Sequence, residues 1–529
     1  MSTDKSAIHH ANKSVAKSAT IIGLATLCSR ILGFIRDIVI ARMFGVYVYA
    51  QAFVVAFKIP NLFRDLLGEG AANAAIVPVL SEYSAKHTKE EFWELANVVL
   101  NLLLVVLTAL TIIGMIFSPV IVRLIAPGFI ADPYKLAATI KLNRIIFPYI
   151  LLISLTAYAA AVLNSLKHFS VPAFSPCLLN ISIIVCALLF GEGIRGLASG
   201  ILIGGCLQLA VQIPVLYKKG FRLELFKRFR HPGAMLIGKL MMPRLLSSCI
   251  YQLNNFVDTI FGSLSGIVGE GGVAGLYFAY RLVLFPIGIF STALAQAILP
   301  TFSTQALEVD RDELKRTLSF GLRATSFALL PASIGLIVLA RPIISAIFEG
   351  GRFDAYSASM TADVLFYYSI GLFAYGALRI LQTCFFALKD TVTPTKISFL
   401  ALVINIVLNS ILMFPMKLSG IALATSISGI ASFAFLFVTL EKKIGDFKVK
   451  EIMVSFGRIL AASLCMGLVC YFVSQKSIFP SGTTLLKFLN LGVVIIAGII
   501  SYAAFCFIFR VREMRDLWDW VVLRKSPKA

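Results

Sequence analysis

Fourteen stretches of this chain are apolar over the length a bilayer crossing requires, and that feature constrains its fold more than any other. A hydrocarbon core of about 30 Å takes on the order of 20 apolar residues per helix. Inside it every backbone N–H and C=O must be satisfied within the protein, so runs of this length are read as helices. Their approximate limits are 17–43, 47–83, 92–125, 135–164, 172–190, 196–216, 233–264, 274–304, 318–348, 356–387, 397–414, 420–440, 451–474 and 483–509. Several exceed one crossing and imply tilt or projection into water. Of the 529 residues, 58% are hydrophobic and 14% charged, against roughly 25% charged in an average soluble domain. A soluble enzyme, a disordered chain and a disulfide scaffold are excluded together. The expectation is an all-α polytopic membrane protein.

The net charge of +21 is unusual for a chain that lives in hydrocarbon. Lys and Arg number 27 in the segments on the side of the two termini and 4 in those on the other (Arg195, Arg352, Lys417, Lys476). By the positive-inside rule both termini are expected in the cytoplasm. The first 17 residues are polar and weakly basic and give no sign of a cleaved signal peptide. All nine cysteines fall in apolar runs without CxxC spacing, and read as packing residues.

The chain also repeats itself. Ile76-Val77-Pro78 returns as Ile298-Leu299-Pro300, and Leu166-Lys167 with Pro172 returns as Leu388-Lys389 with Pro394, both 222 residues on. Ser118-Pro119-Val120-Ile121 matches Arg341-Pro342-Ile343-Ile344 at 223, while Gly196-Leu197-Ala198 matches Gly420-Ile421-Ala422 and Lys218-Lys219 matches Lys442-Lys443 at 224. Near-constant offsets of this kind mark a duplication. The expected organisation is an N-terminal six-helix lobe over 1–220, a C-terminal six-helix lobe over 221–445, and two extra helices with a basic tail over 446–529. An even helix number gives the lobes one orientation, the plan of transporters whose halves move about a central site.

Charges inside spans are costly and tend to mark function. The first span carries Ser29, Arg30, Arg36, Asp37 and Arg42, and the second Lys58, Arg64, Asp65 and Glu69. Arg281 stands in the eighth, with no carboxylate on its own helix. Arginines converging on an aqueous cavity suit a phosphate or pyrophosphate, whose oxygens the guanidinium fork binds in pairs. The competing reading is an Arg–Asp brace between helices. Pro60 and Pro286 are expected to bend their helices around the cavity. Asp258, Asn405, Asn409 and Thr425 form a second polar set. One carboxylate with amide and hydroxyl oxygens suits a hard cation such as Na⁺, against plain interhelical hydrogen bonding by Asn. No histidine lies in a span, and no HExxH, GxSxG or Walker sequence occurs. The drive is expected from an ion gradient, the membrane potential or the substrate gradient.

Ser29-Arg30-Ile31-Leu32-Gly33-Phe34-Ile35-Arg36-Asp37, Phe57-Lys58-Ile59-Pro60-Asn61-Leu62-Phe63-Arg64 and Glu69-Gly70-Ala71 resemble the signature of the MurJ/MviN family. Ala126-Pro127-Gly128-Phe129, Phe147-Pro148-Tyr149-Ile150, Val171-Pro172-Ala173-Phe174-Ser175-Pro176 and Arg281-Leu282 with Phe285-Pro286 continue the likeness over nearly the whole chain. The resemblance implies a lipid II flippase of the MOP exporter superfamily with fourteen helices. It implies that Arg30, Arg36, Arg64 and Arg281 engage the lipid II pyrophosphate, and that Ser29, Asp37 and Glu69 pair with them or gate the cavity. It further implies a Na⁺ site of Asp258, Asn405, Asn409, Thr425 and the Ile421 carbonyl, and a groove for the polyprenyl tail between the last two helices. Gln51, Tyr280 and Leu284 stand where relatives often carry acidic or amide residues, so this cavity is less acidic.

The expected function is transfer of lipid II, the undecaprenyl-pyrophosphate-linked peptidoglycan precursor, between leaflets of the bacterial cytoplasmic membrane. No catalytic residue, resident cofactor or nucleic-acid partner is expected. Membrane lipids and the cell-wall synthesis machinery are the other candidate partners. A flippase for another polyprenyl-pyrophosphate oligosaccharide would use the same arginines. A cation-coupled exporter would want carboxylates and aromatics, and a membrane transferase a nucleophile–base pair.

Overall fold

Local side-chain chemistry sets where the helices start. Thr88 Oγ1 accepts from the Glu91 amide at 3.3 Å while Glu91 Oε2 accepts from the Thr88 amide at 3.2 Å, a reciprocal cap that opens a 28-residue helix. Asp132 and Asp354, 222 residues apart, each cap a helix through Oδ1, accepting from Lys135 N at 3.0 Å and Ser357 N at 2.8 Å. The computed structural model describes residues 2–64, 75–191, 193–225, 228–308, 310–476 and 483–515. Within these the chain is helical, with a lone bridge between Gly350 and Phe353.

The chain divides into two units, Met1–Ser263 and Leu264–Ala529. The first holds α1 (Ser2–Phe44), α2 (Val48–Phe63), α3 (Val77–Lys86), α4 (Lys89–Ile116), α5 (Ser118–Ile125), α6 (Pro133–Ile146), α7 (Tyr149–Ser165), α8 (Ser170–Phe190), α9 (Ile194–Ala210), α10 (Ile213–Lys218) and α11 (Pro232–Gly262). The second holds α12 (Ser265–Val268), α13 (Gly272–Pro286), α14 (Ala293–Gln305), α15 (Asp312–Val338), α16 (Ala340–Ile347), α17 (Ala355–Ile370), α18 (Leu372–Ala387), α19 (Val392–Ile444), α20 (Val449–Gln475) and α21 (Thr484–Ile508).

The described part of each of the fourteen expected spans is helical. Among the described residues nine helices are long and apolar enough to cross a membrane, and α17 with α18, bent by 44°, makes a further pair. Two departures from the expected limits are seen, in the 92–125 and 318–348 stretches and in the 47–83 stretch. The stretches 92–125 and 318–348 each split into a long helix and a short amphipathic one, because Pro119 and Pro342 favour the first turn of a new helix over the interior of the old. The stretches 397–414 and 420–440 are both helical within α19 and are separated by a non-helical kink at Lys417 (φ 53°, ψ −131°), between their expected limits. The stretch 47–83 is divided between α2 and α3, and its middle, with Asp65 and Glu69, lies outside the described residues.

The duplication is written into the packing of each unit. In the first, Ile76, Leu80, Phe92, Tyr158 and Leu163 form a buried cluster. In the second, Ile298, Phe302, Leu314, Ile380 and Phe385 do so, each 222 residues later. The ends of α7 and α18 repeat as well. Lys167 (φ 59°) and Lys389 (φ 58°) both take the left-handed conformation. The next amide then closes the helix, His168 N on Leu163 O and Asp390 N on Phe385 O, both at 2.9 Å.

In the first unit α1 packs on α8, α8 on α9, α2 on α6 and α4 on α7. Gly200 permits the α8–α9 approach, since a Cβ there would stand 2.7 Å from the Ile183 Cα. In the second, α15 packs on α20 and α18, and α20 on α21. Leu330, Ile459, Ala462, Cys506 and Val511 seal α20 and α21 to the rest of that unit.

Candidate substrate-binding cavity

The cationic residues of α1 and α2 are positioned by helices that would otherwise be plain apolar spans. Arg36 and Asp37 are buried, against α8. The Arg36 guanidinium donates from Nε and Nη2 to Asp37 Oδ1 at 3.1 and 2.8 Å, and from Nη1 to Asn180 Oδ1 at 3.0 Å. Asn180 in turn donates from Nδ2 to the Ser29 carbonyl at 3.1 Å. A buried charge is tolerated only when paired and hydrogen-bonded; here both conditions hold, and the guanidinium plane is fixed.

This brace forms one wall of a cavity of about 340 Å³ within the first unit, lined by Ser29, Arg36, Arg64, Asn164, Asn180 and Gln208 among others. Ser29, Arg36 and Arg64 are therefore brought together. Arg30, exposed on α1, is not among the lining residues. The brace and the cavity wall, read from sequence as alternatives, are the same residue here. Sequence reasoning passed over Asn180, Asn164 and Gln208, although polar residues in apolar helices are the signal by which the arginines were found.

Lys58 of α2 donates to Thr259 Oγ1 on α11, lies 5.6 Å from the centre of the Phe256 ring and sits in the field of Asp258. In the second unit, Arg281 Nη2 donates to Tyr277 Oη at 2.9 Å, with its guanidinium 4.9 Å from that ring's centre, a cation–π contact one turn along α13. Pro286 is followed by a π-helical turn, Ile287–Thr292. Gln51 is fully buried, and Tyr280 packs on the Tyr368 ring at 5.4 Å.

The second polar set also assembles in part. Asn405 and Asn409 are wholly buried. Asn409 Nδ2 donates to Asn405 Oδ1 at 3.0 Å, Asn405 Nδ2 to Thr425 Oγ1 at 3.1 Å, and Thr425 Oγ1 to the Ile421 carbonyl at 3.1 Å. Amide, hydroxyl and carbonyl oxygens thus gather at one place within α19, a donor set of the hard class. Asp258 belongs to the other unit.

Comparison with known proteins places these features. A family model described as "Lipid II flippase MurJ" matches residues 40–491. A "Probable lipid II flippase MurJ" of Buchnera aphidicola subsp. Acyrthosiphon pisum is 36% identical over 475 residues, covering 89% of this chain and 92% of that one. One of Vibrio cholerae is 32% identical over 521 residues, covering 96% and 98%. A solved structure, "Lipid II flippase MurJ, inward closed conformation", superposes with a TM-score of 0.78 at 28% identity, over 94% of this chain and 99% of that one. An inward-facing MATE family transporter of the MOP superfamily shares the fold at a TM-score of 0.65 and 15% identity, over 79% and 95%. With its own duplication, buried arginine and apolar helices in the same frame, the chain belongs to the MurJ family of lipid II flippases.

Proposed function

We infer that this protein carries lipid II from the inner to the outer leaflet of the bacterial cytoplasmic membrane by alternating access, with both termini in the cytoplasm. One observation carries the site assignment: Arg36 is locked by Asp37 and Asn180 into the wall of a cavity that Arg64 also lines. A guanidinium held in one orientation meets a pyrophosphate without the entropy cost of ordering a long side chain, and keeps its charge at every physiological pH. Arg30 joins Arg36 and Arg64 in the basic set in this reading, and Asp37 tempers its charge. The outward-facing apolar surface of α20 and α21, which includes Leu464, Leu468, Ile496 and Ile499, is proposed to take the polyprenyl tail.

Na⁺ is proposed as the coupling ion, held by Asn405, Asn409, Thr425 and the Ile421 carbonyl. Bound there, the ion would supply charge in exchange for the hydrogen bonds that now join these groups. A cationic-drug exporter is disfavoured because the cavity wall is basic. The test is rescue of a flippase-depleted strain by Ala variants of Arg30, Arg36 and Arg64. Each is expected to lose rescue while protein is still made. Full rescue by all three would remove the arginines from the substrate site.

A further inference from the structure

A second basic cleft lies far from the arginines of α1 and α2 in sequence, within the second unit. The start of α20 and the end of α21 lie together, and α15 brings Arg323 beside them. The cleft between them has a volume of about 510 Å³, and five cations line it against three carboxylates. Each carboxylate is engaged. Glu513 Oε1 accepts from Arg323 Nη1 at 3.1 Å and Ser455 Oγ at 2.8 Å. Asp446 caps α20 by accepting from Val449 N at 2.9 Å, and Glu451 pairs with Lys448 at 3.6 Å. The cleft therefore carries net positive charge on a floor stiffened by the half-buried Arg323–Glu513 pair. Lys450 and Arg458 are exposed in its wall, and Arg458 Nη1 rests on the Arg510 carbonyl at 3.2 Å.

The surface beside the cleft is apolar. Phe320, Met453, Val454, Phe507 and Ile508 are exposed, and Val454 lines the cleft itself. Arg458 stands nine residues into α20, about 14 Å along the helix. It is placed to reach back toward the headgroup layer while its stem lies along apolar surface. Cations above an outward apolar wall fit an amphiphile better than a soluble anion. On the topology implied by the Lys and Arg bias this end is cytoplasmic, where anionic lipid attracts basic residues.

We propose that this cleft binds the phosphate headgroup of an anionic phospholipid, with the acyl chains against the apolar surface beside it. The site is separate from the one proposed for lipid II and uses none of its residues.

The full-length protein in nanodiscs of mixed phosphatidylglycerol and phosphatidylcholine tests this, by counting phosphatidylglycerol retained after extraction into detergent. Wild type is expected to retain phosphatidylglycerol over phosphatidylcholine, and Lys450→Gln/Arg458→Gln to lose that preference by about tenfold. Lys218→Gln/Lys219→Gln removes the same charge from the first unit and should retain as wild type does. Equal retention by the first double variant overturns the proposal, as does an equal loss in the second, which would make the effect one of bulk charge. Displacement of the lipid from wild type by millimolar inorganic phosphate overturns it too, in favour of a free-anion pocket. Should the double variant lose its thermal transition, Lys450→Gln alone carries the same expectation at about fivefold, and no change there overturns the site.

Discussion

At the scale of single residues, one substitution confounds the bracing role of Arg36 with the substrate-binding role proposed for it. Arg36→Ala leaves Asp37 buried without its countercharge, which costs about 3–5 kcal/mol, so lost rescue alone is ambiguous. The double variant Arg36→Ala/Asp37→Ala removes both charges. It is expected to restore folded yield and thermal midpoint while rescue stays lost. Restored rescue would make Arg36 a brace only. Both residues were legible in the sequence because charges inside an apolar run stand out. Their third partner was not, because Asn180 lies 144 residues away and only folding brings it to Arg36. Asp390, in a loop between α18 and α19, gives a pH test. Burial alone would raise its carboxyl, but the Lys443 ammonium and the Thr393 amide and hydroxyl outweigh that and hold it at about 2. An unfolded aspartate titrates near about 3.9. Its contribution is therefore complete above that value and disappears as the pH falls from about 4 to about 2. Asp390→Asn should lower the thermal midpoint at neutral pH and flatten its acid dependence; an unchanged acid limb would contradict the assignment.

At the scale of elements, helix positions followed from apolar length, but their internal breaks did not. Pro119 and Pro342 were used as markers of the repeat, yet their consequence is that α5 and α16 are separate short helices. The break expected between 414 and 420 is there, and Lys417 is the residue whose backbone leaves the helical region. Two predictions belong here. Gly200→Val should destabilise the α8–α9 pair by about 1–3 kcal/mol, because backbone rather than a movable side chain stands in the way. A wild-type melting curve in detergent would contradict that close packing. Lys167→Gly and Lys389→Gly should each raise stability by up to about 1 kcal/mol, since a left-handed backbone strains an L-residue and not glycine. Losses at both would show that the Lys side chains hold those turns.

At the scale of the whole molecule, the duplication was the most informative feature of the sequence, because it paired equivalent positions without any relative. Its counterpart is the pair of buried clusters that share Ile76, Leu80, Phe92, Tyr158 and Leu163 with Ile298, Phe302, Leu314, Ile380 and Phe385 at one offset. What the sequence concealed was the grouping of α11 with the first unit, since chain order alone assigns that helix to the second repeat. The polar sets were legible as sets, and their division between units was not. Transfer of lipid II between leaflets is tested most directly by leaflet-resolved labelling of lipid II in cells acutely depleted of this protein, with wild type or Arg64→Ala returned. The outer-leaflet pool is expected to collapse on depletion, return with wild type and stay collapsed with Arg64→Ala. An outer-leaflet pool that depletion leaves unchanged would contradict it.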